Sequence, residues 1–350
     1  MGADERSAGG DDPRLVAGRY ELGPVIGAGS SAKVHRARDL RLGTEVAVKR
    51  FRSGASAHDL LQQRREMEAL AHLHHPGLVG LHDGGTEDGR AFVVTDLVEG
   101  PTLAERISAG PPLAPGAVRR LGAQLAEALA HVHASGIVHR DVKPANVLLG
   151  GWHAGGAGGV GGHWDGGRPR LADFGISRTF DATTATAIGC VVGTAAYLAP
   201  EQARGERVGP AVDVYALGLV LLEALTGRRE FPGLAVESAT ARLYRSPVVP
   251  DGLPGGLGTV LTAMTRDDPL RRPSAAVVAR ALAADPASAA AHLWPDAEAP
   301  KPQRRSGRHR LHRAARSRET YRAALVALTG ALAMLTSAAA PARPHQRQPR

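Results

Sequence analysis

The string His139-Arg140-Asp141-Val142-Lys143-Pro144-Ala145-Asn146 places a carboxylate, an ammonium and an amide close together, after a helical run and a turn at Gly136. A second carboxylate comes 27 residues after Asn146, in Asp173-Phe174-Gly175. Phosphoryl transfer asks for this set: one carboxylate to orient an attacking hydroxyl and accept its proton, and oxygen ligands to hold a magnesium ion against phosphates.

Two weaker signals upstream fit the same chemistry. In Gly27-Ala28-Gly29-Ser30-Ser31-Ala32-Lys33-Val34, small residues between two strand-like runs let the backbone close over a polyphosphate and offer it N–H groups. By itself such a stretch is as readily a plain hairpin, and it reads G-x-G-x-x-A, with Ala32 where a third glycine is expected. In the strand Val46-Ala47-Val48-Lys49, alternation puts Lys49 on the face of Ala47, toward the glycine loop. An ammonium aimed at phosphates needs a countercharge, and a helix over 60–73 supplies Glu66. Glu68 lies about 200° further around that helix, so only one of the two faces the sheet.

The elements that must position these groups fall into two sets. From Tyr20 to Val98, short apolar runs at residues 20–26, 33–37, 45–51 and 91–96 predict a small sheet, with one helix over 59–73. Beyond Thr102 the apolar spacing turns helical, clearest at 118–134 and 212–225 and again at 257–264 and 275–282. This is an α+β design with a β-rich lobe followed by a helical one. Residues 1–19, rich in Gly, Asp and Ala, read as a disordered lead-in. The Gly-rich segment 150–168 reads as a mobile insertion; its Trp152, His153, His163 and Trp164 have no carboxylate or thiol cluster beside them to make a metal site. His72, His74 and His75 end a predicted helix, where imidazoles commonly cap or face solvent, and are assigned no chemistry.

Charge is divided unevenly along the 350 residues. The last fifty carry 12 Lys+Arg against the single acid Glu319, whereas the rest of the chain is nearly neutral, so the formal +9 does not argue for nucleic acid as a partner. Cys190 is the one cysteine, which excludes an intramolecular disulfide. Four acids among the first 12 residues do not make a secretory signal, and the body is expected in the cytoplasm. Only four lysines occur, Lys33, Lys49, Lys143 and Lys301, and two of them fall at positions where phosphate chemistry needs them.

With these motifs in place the chain resembles the protein kinase family, and within it the bacterial serine/threonine kinases of eukaryotic type. The resemblance runs from 20 to 282 and implies the two-lobed kinase fold, with an N-lobe at 20–98 and a C-lobe at 99–282. It extends to Ala199-Pro200-Glu201, which matches the end of the family's activation segment, and to Asp213-Val214-Tyr215-Ala216-Leu217-Gly218, which matches a family helix. Arg272 stands where the family places an arginine paired with Glu201.

By this match, Asp141 is the catalytic base, Lys143 steadies the transferring phosphate, and Asn146 and Asp173 hold Mg2+, with Mn2+ as a substitute. Lys49, fixed by Glu66, binds the α- and β-phosphates of ATP under the loop Ile26 to Val34. Adenine lies between Val34 and Ala47 above and Leu148 below, bonded to the backbone of Asp96 and Val98. Lys143 and Thr194 imply serine/threonine rather than tyrosine acceptors, on protein substrates and on the kinase itself. Arg140 implies an activation segment ordered by phosphorylation. Thr186 is the favoured site and Thr184 the second, with Thr179 and Thr183 as further acceptors. A homodimer is an option. The rival reading, a catalytically silent pseudokinase scaffold, has against it that Lys49, Asp141, Asn146 and Asp173 are all present.

After the domain, 283–322 is Ala/Pro-rich and then basic, 323–340 is an uncharged apolar run, and 341–350 a short tail. The run is long enough to cross a bilayer, and the arginines before it would then lie on the cytoplasmic side of the plasma membrane. On that reading no extracellular sensor domain follows.

Overall fold

The computed structural model of the chain describes residues 15–29, 32–52, 72–153, 163–164, 167–173 and 195–284. Strands β1 (Leu15–Val16), β2 (Tyr20–Ala28), β3 (Ala32–Asp39), β4 (Glu45–Phe51), β5 (Leu81–Glu87) and β6 (Arg90–Asp96) form one antiparallel sheet in the order β1-β2-β3-β4-β6-β5. Period-2 alternation sorts its side chains. Val46, Val48, Phe92 and Val94 pack on one face with Tyr20 and Val16, while Ala32, Phe51, Ala91 and Val93 pack on the other. Lys49, between Val48 and Arg50, shares the face of Phe51, and its ammonium lies 5.4 Å from the centre of that ring.

The lead-in expected to be disordered through residue 19 is folded from Leu15. Its two-residue strand pairs with β2, Val16 is fully buried, and Arg19 forks onto Asp39 at 2.9 and 2.7 Å. A strand of two residues carries no periodicity, so composition alone could not reveal it. Strand β5 was missed for a related reason: it is an edge strand with one partner, and its sequence Leu-His-Asp-Gly-Gly-Thr-Glu has no apolar run. The predicted helix at 59–73 lies almost wholly outside the described residues.

The helical lobe contains α1 (Leu103–Ala109), α2 (Pro115–Ala134), α3 (Pro200–Ala203), α4 (Ala211–Thr226), α5 (Ala235–Tyr244), α6 (Leu257–Met264) and α7 (Ala275–Ala283). The four strongest helical patterns match α2, α4, α6 and α7. Thr102 starts α1 with a capping box, accepting from the Glu105 N–H while Glu105 accepts from the Thr102 N–H at 2.7 Å. Helix α4 is buried from Val212 to Ala224 and, apart from Asp213 and Glu223, carries apolar, aromatic or small residues there, so it forms the axis of the lobe. Two glycines permit that packing. Gly122 on α2 lies against Leu221 and Leu282, and Gly218 on α4 lies against Met264 and Thr265.

Short backbone ties join the lobes. Val79 donates to the Leu171 carbonyl at 3.0 Å and Leu171 to Gly77 at 2.8 Å; within the helical lobe Leu149 donates to Pro101 at 3.0 Å. Strands β7 (Val147–Leu149) and β10 (Pro169–Leu171) pair below the sheet. Within the Gly-rich insertion between them, β8 (Trp152–His153) pairs with β9 (His163–Trp164).

A Cβ at Gly218 would sit 2.7 Å from Thr265 Cγ2 and 3.2 Å from Met264 Cβ. Gly218→Val should therefore cost roughly 1–3 kcal/mol through overpacking, read as a lower urea midpoint at unchanged m value. An unchanged midpoint would mean that α4 and α6 are not held together at that point.

Candidate active site

Helix α2 ends at Ala134, Gly136 takes a left-handed turn, and the chain re-enters the lobe as the catalytic string. There Asp213, at the start of α4 and 1% exposed, accepts three hydrogen bonds at 2.8 Å: from the N–H of His139, the N–H of Arg140 and the His133 ring. Arg140 is held at φ +64, a conformation worth about 1–3 kcal/mol of strain for a non-glycine residue, and the carboxylate fork keeps it there.

His139 is fully buried between the two chain segments that carry carboxylates. Its Nδ1 accepts from the Asp141 N–H at 3.3 Å and its Nε2 donates to the Ala172 carbonyl at 3.2 Å, an arrangement that only the neutral ring satisfies. The Ala172 N–H returns a bond to the Asn146 carbonyl at 2.8 Å. Asp173, at φ +55, is thereby fixed beside the catalytic string.

The side chains form two linked sets. Lys143 Nζ lies 2.8 Å from Asp141 Oδ2, and Asn146 Nδ2 donates to the same oxygen at 3.0 Å and to the Asp141 carbonyl at 2.9 Å. Lys49 Nζ lies 2.7 Å from Asp173 Oδ1. Strand register explains the reach of Lys49, since Gly27 pairs with Val34, Val34 with Lys49 and Lys49 with Val93 in one row across the sheet. Ala32 has a role of its own: it is buried with Phe51, Ala91 and Val93, where a glycine would leave a gap. Glu66, the countercharge expected for Lys49, lies outside the described residues, as do Ser30, Ser31, Thr184, Thr186 and Thr194.

For the nucleotide base, Ala47 is buried and Val34, Leu148 and Val98 are half-buried. The Asp96 N–H donates to the Gly80 carbonyl at 3.0 Å, and the Asp96 carbonyl accepts from the Thr95 hydroxyl at 3.3 Å. The Asp96 carboxylate, given no part in the sequence reading, takes bonds from the Gly80 N–H at 3.0 Å, the His82 ring at 2.8 Å and Arg170 at 3.1 Å. It clasps the connection between the lobes to β10.

Asn146 and Asp173 suit a hard cation. With its Nδ2 facing Asp141, Asn146 presents Oδ1 as an oxygen donor, and the Asp173 side chain is 45% exposed. Among the described residues no group of three or more His, Cys, Asp and Glu could hold a metal unaided. A two-oxygen protein set completed by phosphates and water is what Mg2+ accepts.

Beside Asp141 and Lys143 a small cavity is lined by Tyr197, Leu198 and Gln202. The segment forming this wall is anchored from below. Glu201 meets Arg272 through both oxygens at 2.6 and 2.8 Å in full burial, and the other donors of Arg272 go to the carbonyls of Arg266, Ala211 and Asp267. Tyr197 donates its hydroxyl to Glu223, and burial pushes the Tyr197 phenol above its usual range. His133 and Glu223 escaped the sequence reading, and His139 was read only as part of the motif string, because their importance lies in long-range partners.

Burial also lowers the basicity of His139 from the ordinary 6.5. The unfolded ring takes up a proton below that value and the folded one resists it. The stability contributed by neutral His139 is therefore complete above 6.5 and is lost as pH falls toward the depressed folded value. Between about pH 7.5 and about pH 5.5 the urea midpoint should fall further in the wild type than in His139→Gln, which does not titrate. Equal drops would remove His139 as the source.

The comparisons with known proteins agree with this geometry. The protein kinase domain family model matches residues 20–282. A protein named as a probable serine/threonine-protein kinase of Streptomyces coelicolor is 37% identical over 282 residues, covering 76% of this chain and 39% of the relative. Serine/threonine-protein kinase PrkC of Bacillus subtilis is 36% identical, covering 74% and 39%. Serine/threonine-protein kinase PknL of Mycobacterium tuberculosis is 34% identical, covering 91% and 78%. The chain thus spans about two fifths of the length of the first two relatives. With the matched region extending from β2 through α7 and the sheet-over-helices architecture in place, the chain belongs to the protein kinase domain family.

Proposed function

We propose that the chain is a serine/threonine protein kinase that transfers the γ-phosphate of ATP to protein hydroxyls. One observation carries the reading: Lys49 with Asp173, and Asp141 with Lys143 and Asn146, are joined through His139 and Ala172 beside a cavity walled by Tyr197 and Leu198. A pseudokinase scaffold would have no need of that convergence.

In this mechanism Asp141 orients the acceptor hydroxyl and takes its proton. The new bond forms between that oxygen and the γ-phosphorus as the bond to the β–γ bridging oxygen breaks, leaving ADP. Lys143, 2.8 Å from Asp141, is placed to follow the phosphoryl group and offset its charge. Lys49 holds the α- and β-phosphates, for which it exchanges its contact with Asp173. Asn146 and Asp173 would hold Mg2+, or Mn2+ in its place, which when bound would screen the phosphate charge. Ala47, Val34 and Leu148 exclude water around adenine. The preference for serine and threonine rests on Lys143 and on the names of the relatives.

Autophosphorylation is part of the proposal. Arg140 is exposed beside the base, where a phosphate on Thr186, or on Thr184, would give its guanidinium a charge-assisted partner. The apolar run 323–340 as a membrane anchor also belongs here and lies outside the described residues. Among the described residues no helix is long and apolar enough to cross a membrane. Full-length protein should partition with membranes, and protein lacking 304–350 should not. An equal soluble share would end the anchor reading.

Asp141→Asn keeps the shape and removes the proton acceptor. Transfer from γ-labelled ATP to a basic protein acceptor should drop about 10²- to 10⁴-fold with the melting temperature unchanged. Mass spectrometry of the wild-type incubation should find phosphate between Asp173 and Glu201. A wild type that transfers nothing under Mg-ATP would refute the proposal.

A further inference from the structure

Arg242 on α5 is 2% exposed, an unusual place for a cation, and its guanidinium is spent on carbonyls of the wall beside the catalytic base. Nε donates to the Ser238 carbonyl at 3.0 Å, and one terminal nitrogen donates to the Ser238 hydroxyl at 3.0 Å. That hydroxyl is itself fixed by donating to the Phe231 carbonyl at 2.9 Å, and the Phe231 ring lies under the guanidinium at 4.8 Å. The two terminal nitrogens reach the carbonyls of Leu198 and Ala195. These two carbonyls bracket Tyr197 and close a turn whose own bond, from the Leu198 N–H to the Ala195 carbonyl, is long at 3.4 Å.

Ala195 to Leu198 is also the segment whose Tyr197 and Leu198 line the cavity shared with Asp141 and Lys143. On the kinase reading, this wall borders the approach of an acceptor hydroxyl to Asp141. On the catalytic side, Lys143 and Asn146 bond to Asp141. Burying a guanidinium carries a desolvation cost that an apolar side chain would avoid. What the fork provides in return is a fixed position for two carbonyls at once, which the point charge of lysine matches poorly.

We infer that Arg242 is a positioning residue for the protein acceptor, setting the shape of the Ala195–Leu198 wall and through it the affinity for acceptor, and leaving the ATP half of the site untouched. This rests on the kinase reading above. Arg242→Met, apolar and of similar length, should raise KM for the basic protein acceptor about tenfold or more. KM for ATP and the slow hydrolysis of ATP by water should stay within about twofold. Arg242→Lys should fall between. Hydrogen exchange at residues 196–198 should speed up in Arg242→Met while that of 139–146 stays as in wild type.

Equal losses of peptide transfer and ATP hydrolysis would make Arg242 a general structural residue, and unchanged acceptor KM with unchanged exchange would discard the idea. If Arg242→Met does not fold, Arg242→Lys and Ser238→Ala, which removes one anchor of the fork, must show the same split on a smaller scale or the inference is lost. A wild type that neither transfers nor hydrolyses refutes the kinase reading instead, and the exchange measurement still decides whether Arg242 holds the wall.

Discussion

The Asp213 carboxylate is the point on which the rest of the site depends. Buried at the head of α4, it would be costly if unpaired, and it is paid back by two backbone N–H groups and one imidazole. Those backbone bonds are the ones that a loop with Arg140 in a left-handed conformation needs in order to persist. Helix α4 is itself immobilised by burial on every side, so the carboxylate has a rigid base. Through His139 the same constraint extends to Ala172, and so to the position of Asp173. One buried charge thus coordinates two loops that are distant in sequence.

Buried arginines repeat the theme in the helical lobe. Arg272 closes on Glu201 with every donor occupied and stacks 4.8 Å from the Tyr215 ring, while Arg242 is distributed over main-chain carbonyls. In both cases a planar fork satisfies several acceptors at once, which is how a guanidinium can be buried without a large unmet desolvation cost. Both anchor the chain between α3 and the cavity. The wall beside Asp141 and Lys143 is therefore anchored from below.

The chemical identities were legible because they are packed into short strings. Asp141, Lys143 and Asn146 fall within one loop, and Lys49 sits in a strand whose alternation already assigns its face. Four helices were legible too, since α2, α4, α6 and α7 carry enough apolar positions to display a period, whereas α5, longer than α6, was not. Short or edge elements were not: β1 has two residues and β5 alternates around glycines. The Asp96 carboxylate, His133 and Glu223 looked like ordinary surface or helix residues, because a polar residue announces nothing until its partner is known.

Residue type and the strongly patterned elements, then, were legible in the sequence: four strands of the main sheet, four helices, and the carboxylate, ammonium and amide side chains of the short motifs. The tertiary structure decided the pairings, such as Lys49 with Asp173, Asp213 with the backbone of His139 and Arg140, and Arg242 with Ala195 and Leu198. The reason is physical. Periodicity and propensity act over a few residues, whereas these bonds span tens of residues and exist only where burial excludes water and leaves each polar group one available partner.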